Sequence, residues 1–254
     1  MDEPGDEKVM TVVEHLSELR RRIFISILAV VIASIVGFFV APDLIRILKD
    51  QAPLDKPLIF TTPGGAFFLI IKLSLMVGIA LASPVVLYEL WSFISPGLTP
   101  SERRQIRPWV PLSLLFMALG IGVAFVTLPL ASGFLLGFAI PGLVEPLITA
   151  DAYFGFVTTL FLAFGLVMQF PFVVLLLSKV GIVTADQLRR NRRYVLLGIV
   201  IFAVVITPGG DPFSPTIMTL VMYPLYELSI RLVARANTPT HAPATSAPGP
   251  AAAK

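Results

Sequence analysis

An all-α polytopic membrane protein with six transmembrane helices is the fold this sequence predicts, and three observations predict it. The first is composition. Of 254 residues, 56% are hydrophobic and only 14% charged, with a mean hydropathy of +0.87. A soluble domain carries about 25% charged residues, so this chain is built for an apolar solvent. The second is the grouping of its apolar residues into six runs, near 23–41, 67–90, 110–131, 154–178, 194–208 and 213–231. A hydrocarbon core about 30 Å thick needs about 20 apolar residues at a rise of about 1.5 Å each. The runs show no two-residue alternation, which argues against a membrane barrel, and helices satisfy their own backbone groups in lipid. The third is charge placement. With the N-terminus taken as cytoplasmic, Arg46, Lys49 and Lys56 fall outside and Lys72 falls within the second run. The other fifteen of the nineteen Lys and Arg residues then lie on the cytoplasmic side. This is the positive-inside pattern, and it sets both termini inside. Two termini on one side require an even number of spans.

Each element follows from local sequence. Arg21-Arg22 before the first run opens like a cleaved export signal. That run is long enough to span, five more follow, and no small-residue cleavage site comes after it. In the first outer loop, 42–66, Leu44, Ile45, Ile47 and Leu48 interleave with Asp43, Arg46 and Lys49. The pattern predicts a short amphipathic helix in the outer interface. The second outer loop, 132–153, has no Lys or Arg and is largely apolar, so it is expected to pack on the protein or dip into headgroups. Spans five and six are short. The stretch between Arg193 and Pro208 makes about 21 Å of helix, and that between Pro215 and Arg231 about 22 Å. A mismatch of this kind is relieved by bilayer thinning, snorkelling or association with other helices. Pro84, Pro129, Pro171 and Pro224 each remove a backbone hydrogen bond. Two readings stand: prolines tolerated as they commonly are in membrane helices, or a set of curved helices forming a concave, glove-like wall. Residues 1–235 are expected to form one transmembrane domain, and the Ala/Pro-rich tail, 236–254, to be disordered.

Composition also narrows function. There is no cysteine, and His15 and His241 are far apart in the sequence with no partner at metal-ligand spacing. No nucleophile-and-base set or ligand cluster for an intramembrane enzyme is visible, no cofactor is implied, and no nucleic-acid partner is expected. A small transporter or channel would place ionisable residues at mid-membrane in repeated halves, and neither is found. A receptor and an assembly scaffold remain.

Two carboxylates favour the receptor. Glu18 sits in Glu14-His-Leu-Ser-Glu-Leu-Arg-Arg-Arg22, directly before the first span. Glu102 sits in Ser101-Glu-Arg-Arg104, between the second and third. Read alone, Glu18 faces Arg21 and Arg22 at pairing distance along a helix, and Glu102 also has neighbouring arginines. The ordered set of motifs adds more. Glu14-His-Leu-Ser-Glu-Leu-Arg20, then Pro84 to Leu98 with Tyr88-Glu-Leu-Trp-Ser-Phe93 inside it, then Glu102-Arg-Arg104, Phe164-Gly-Leu-Val-Met-Gln-Phe-Pro171, Tyr194-Val-Leu and Thr207-Pro-Gly-Gly-Asp211 resemble the TatC family. That family is the multispanning subunit of the twin-arginine protein translocase, and the likeness runs in order over about residues 10–235.

The resemblance implies a core receptor that binds the twin-arginine signal peptides of folded cargo, with no enzymatic activity. It implies TatA-like and TatB-like single-span partners, homo-oligomers within a hetero-complex, drive from the protonmotive force, and a place in the bacterial cytoplasmic membrane. Carried over by position, Glu18, Arg20, Phe93, Pro96, Glu102 and Arg103 form the signal-peptide site. Phe67, Lys72, Gln169, Thr207 and Asp211 fall at partner-docking or transport-sensitive positions. The chain departs from the family at Gln169, where many members carry Glu, and at Pro215, where some carry Gln. From the residues alone, Gln169 has two readings, an internal helix–helix hydrogen bond or docking of a partner's helix. Lys72 reads as snorkelling to the outer surface, and Glu89 and Glu227 as interfacial.

The chemistry suits the role, because a guanidinium fork matches a carboxylate. Two adjacent arginines need acceptors on two elements. Two charge-assisted contacts at about 1.5–3 kcal/mol each give about 3–6 kcal/mol, whereas micromolar binding needs about 8 kcal/mol. Apolar packing of the peptide must supply the rest. The short fifth span carries its own test. Depth measurements are expected to find the 208–212 turn less than a full bilayer from Arg193, in locally thinned lipid, and a full-bilayer separation would contradict this.

Overall fold

The structure, a computed structural model, describes residues 12–51, 57–95, 109–140 and 147–236. The predicted site residues Pro96, Glu102 and Arg103 and the tail from residue 237 lie outside the described residues. Eight helices follow in order among the described residues: α1 Val12–Asp50, α2 Gly65–Ile94, α3 Trp109–Leu136, α4 Ala150–Val167, α5 Phe170–Lys179, α6 Ala185–Arg190, α7 Arg192–Ile206 and α8 Phe213–Ala236. Among the described residues there is no strand, only an isolated parallel bridge between Ile59 and Thr149. Five helices (α1, α2, α3, α4 and α8) are long and apolar enough to cross a membrane, and α5 is a shorter apolar helix. Large apolar side chains such as Phe24, Val31, Ile35, Val205 and Leu220 stand exposed on their outer faces. In water such surfaces would associate; in a bilayer they meet lipid.

The six runs map onto these helices with three differences. The outer segment 42–50 is not a separate helix. α1 continues through Pro42 to Asp50 as one helix of 39 residues, about 58 Å long. The amphipathic pattern there is real, but its apolar face meets protein. Ala41 and Leu48 are fully buried, Leu44 and Ile45 pack on the core, and Tyr153 donates its hydroxyl proton to the Leu48 carbonyl at 2.7 Å. The fourth run is broken. α4 ends at Val167, α5 starts at Phe170, and Pro171 lies in the first turn of α5. Without an N–H, Pro171 cannot bond the Val167 carbonyl. The chain tightens instead, and Gln169 N–H bonds back to the Leu166 carbonyl at 3.0 Å. Finally, α8 runs to Ala236, beyond the apolar stretch that ends at Arg231, because Leu232 and Val233 still have apolar surface to cover. α7 is short as expected, at 15 residues.

Prolines inside α2, α3 and α8 leave those helices continuous. At Pro84 the reason is visible. The carbonyl that it deprives of a backbone donor is that of Ala80, and Ser83 Oγ donates to it at 2.7 Å. A hydroxyl thus replaces the missing N–H, as a lipid environment demands.

The core is held by Leu73, Leu128, Phe154, Val157, Phe164, Met218 and Tyr226, contributed by α2, α3, α4 and α8. α1 packs along α2 in antiparallel sense, and its approach is very close. A Cβ on Gly37 would lie 2.5 Å from the Ser74 carbonyl oxygen. One on Gly78 would lie 2.9 Å from Ser34 Cα. Small residues at helical spacing let two backbones meet this way, and they substitute for a hydrophobic drive that lipid does not provide. On this geometry Gly78→Val destabilises the protein by about 1–3 kcal/mol, the usual cost of overpacking. Gly122→Ala, with nothing within 4 Å of the added atom, leaves it unchanged. Thermal melting in detergent checks both.

Candidate functional site

The close α1–α2 packing fixes which side chains face each other at the arginine-bearing end. His15, Glu18 and Arg22 fall on one face of α1, and Glu89 and Phe93 on one face of α2, by helical spacing. Arg22 is the centre. Its Nε donates to Glu18 Oε1 at 3.0 Å, its Nη2 reaches the same oxygen, and its Nη1 donates to Glu89 Oε2 at 2.9 Å. The side chains of Glu18, Arg22 and Glu89 are only 17%, 19% and 12% exposed, so solvent screens this cluster less than a surface pair. Glu18 Oε2 is buried with no hydrogen-bond partner. Farther toward the chain start, the His15 and Phe93 rings stack with centroids 4.4 Å apart and planes 19° from parallel.

Of the residues assigned to the signal-peptide site from sequence, the structure brings Glu18 and Phe93 to the same end of α1 and α2, and Arg20 lies exposed on another face of α1. The pairing of Glu18 with Arg22, open in the sequence, is present. Two partners were not foreseen. Glu89, read as interfacial, holds the second arm of Arg22. The signal was its place four residues before Phe93, on the same helical face. Glu227, also read as interfacial, accepts from Arg192 at 3.0 Å.

At the other end, Lys72 has a partner that the sequence did not show: its ammonium pairs with the exposed Asp151 in the first turn of α4. Thr149 caps that helix by accepting from Ala152 N–H. Phe67, at the start of α2, is 59% exposed and lies edge-on to Phe68. Main-chain bonds join the segments that precede α2 and α4: Ile59 N–H donates to the Ile148 carbonyl at 3.3 Å, and Ala150 N–H to the Ile59 carbonyl at 2.8 Å.

Thr207 and Asp211 lie in the turn between α7 and α8, where Gly209 and Gly210 take positive φ angles of 95° and 72°. Thr207 Oγ1 donates to the Ala203 carbonyl, and Asp211 Oδ1 accepts from Ser214 N–H at 2.7 Å, capping α8. Asp211 Oδ2 is buried and unpartnered. Both residues line a groove of about 760 Å³ with Leu196, Val200, Thr219 and Leu220. A second, more enclosed apolar cavity of about 310 Å³ lies among α1, α2, α3 and α4, lined by Leu44, Met76, Met117 and Phe161.

Gln169 occupies the break between α4 and α5. It is 4% exposed, and its Nε2 donates to the Ser113 carbonyl of α3 at 3.0 Å, while Oε1 is buried without a partner. The internal helix–helix bond is therefore formed.

Fold and polar sites together define a polytopic helical membrane protein whose half-buried charges are set at its helix ends. The chain belongs to the TatC family. The profile of that family, described as Sec-independent protein translocase protein (TatC), matches residues 14–221. The Sec-independent protein translocase protein TatC of Carboxydothermus hydrogenoformans is 38% identical over 89% of this chain and 93% of its own length. That of Escherichia coli K12 is 36% identical over 88% of each chain. The chloroplastic TATC of Arabidopsis thaliana is 42% identical, and this chain spans 66% of its length. The crystal structure of the twin arginine translocase receptor TatC superposes with a TM-score of 0.73 at 37% identity, over 89% of this chain and all of that one. The protein is thus a translocase component, and not an enzyme.

Gln169 yields a stability test. Gln169→Leu is expected to change the melting free energy by less than about 1 kcal/mol, because a membrane side-chain hydrogen bond averages about 0.6 kcal/mol. Gln169→Glu must bury a carboxyl group beside the Ser113 carbonyl, and is expected to melt at lower temperature as pH rises and the group ionises. Detergent melts at acidic and neutral pH check this.

Proposed function

We propose that this chain is the receptor subunit of a twin-arginine translocation system. It binds the twin-arginine signal peptides of folded proteins at its cytoplasmic face and recruits TatA-like and TatB-like single-span subunits. Export is driven by the protonmotive force across a bacterial cytoplasmic membrane. Six spans with both termini inside follow from the 15-to-3 excess of cationic residues on one side.

One observation carries the reading: in a chain of this family, Glu18 and Phe93 converge from α1 and α2 at the arginine-bearing end. Glu18 and Glu102 are assigned to the peptide's two arginines, with Phe93 as apolar flank, and Arg20, Pro96 and Arg103 are assigned to the same binding role. The peptide's apolar segment must supply the rest of the affinity, and the cavity of about 310 Å³ beside α1 is apolar enough to receive it. Phe67, Lys72, Gln169, Thr207 and Asp211 are assigned to partner docking or transport. The α7–α8 groove that holds Thr207 and Asp211 is the surface offered to a partner helix.

Co-purification with a twin-arginine signal peptide is expected to exceed that with its Lys-Lys variant by about tenfold, equivalent to about 1.4 kcal/mol. The double variant Glu18→Ala, Glu102→Ala is expected to lose peptide cross-linking yet insert normally. Unchanged cross-linking in that variant would overturn the assignment.

A further inference from the structure

We infer that Arg22 is an internal stand-in for a cargo arginine, and that Glu89 is a further carboxylate of the signal-peptide site: an arriving guanidinium takes Glu18 while Arg22 stays on Glu89. The inference rests on the receptor reading above.

Four observations carry it. Arg22 divides its fork, with Nε and Nη2 on Glu18 and Nη1 on Glu89. Releasing one carboxylate therefore leaves the guanidinium held by the other, and no charge is stranded in a half-buried place. Two carboxylates share one cation, so a second guanidinium brings the cluster to neutrality. Glu18 Oε2 is buried and has no partner among the described residues, which leaves an acceptor ready for a new donor. The His15–Phe93 stack flanks the cluster with apolar surface.

The arrangement also supplies selectivity. To reach Glu18, a cargo side chain must displace two N–H groups of an arginine. Another arginine can reproduce that fork, whereas a lysine offers one compact ammonium. Arg22 thus raises the threshold for both ligands by the same amount, while the ratio between them is set by how well each cation fits the Glu18 carboxylate. Glu89 keeps the exchange reversible by holding Arg22 within reach.

The test uses the full chain in detergent and synthetic signal peptides bearing Arg-Arg or Lys-Lys. Arg22→Gln is expected to tighten Arg-Arg and Lys-Lys binding by a similar factor, about fivefold, the scale of one ion pair lost as competitor, so that both affinities rise together. Glu89→Gln is expected to weaken Arg-Arg binding, because Arg22 then has Glu18 alone. If Arg22→Gln does not fold, Arg22→Lys replaces it, with a smaller gain of the same sign. Unchanged affinities, or equal losses for both peptides that track a lowered melting temperature, would make the cluster a structural staple and overturn the inference. Failure of the unmodified protein to distinguish the two peptides would overturn the receptor reading itself.

Discussion

The register of α1 against α2 depends on the absence of two methyl groups. Gly37 and Gly78 let each helix backbone sit against a serine of the other, closer than any Cβ allows. Lipid offers no hydrophobic drive for two helices to associate, so contact must come from close approach and dispersion. Once that register is set, everything along the pair is set. Arg22 comes opposite Glu89, and His15 opposite Phe93, eleven residues or more from the glycines. Sliding either helix by one turn, about 5.4 Å, would separate every one of these partners.

The second organising constraint is the cost of an unsatisfied backbone group in hydrocarbon. It decides how each proline is accommodated. At Pro84 a neighbouring hydroxyl answers the orphaned carbonyl, and the helix continues. At Pro171 the helix stops and restarts, and Gln169 occupies the gap with its amide bonded to α3. Chemically similar residues in similar runs thus give a continuous helix in one place and a broken one in another. The difference lies in which neighbour can donate.

Much of this was legible in the sequence. The spans follow from apolar run length, and Glu18 and Phe93 from motif order. The i to i+4 spacing of Glu18 and Arg22 already allowed their pairing. What was not legible lies across the tertiary fold. Glu89 is 67 residues from Arg22, and Asp151 is 79 from Lys72, and no periodicity links such pairs. Lys72 looked like a snorkelling side chain because its counter-ion belongs to another helix. The 42–50 segment looked interfacial because amphipathicity records only that one face is buried, whereas protein and headgroups can both bury it. The break at Met168 was visible as a proline but not as a stop, since prolines in four other helices leave them intact.

The two ends of the molecule are fastened by different forces. At the end opposite the arginines, neutral bonds to main-chain carbonyls tie Ile59 to Ile148 and Ala150, and Tyr153 to Leu48; the exposed Lys72–Asp151 pair adds little. At the arginine-bearing end, α1 is held to α2 through charges, with one ring stack. Neutral bonds are indifferent to dissolved salt, while ionic ones weaken as counter-ions accumulate. Added electrolyte therefore weakens the half-buried arginine cluster to a modest degree and leaves the neutral end untouched.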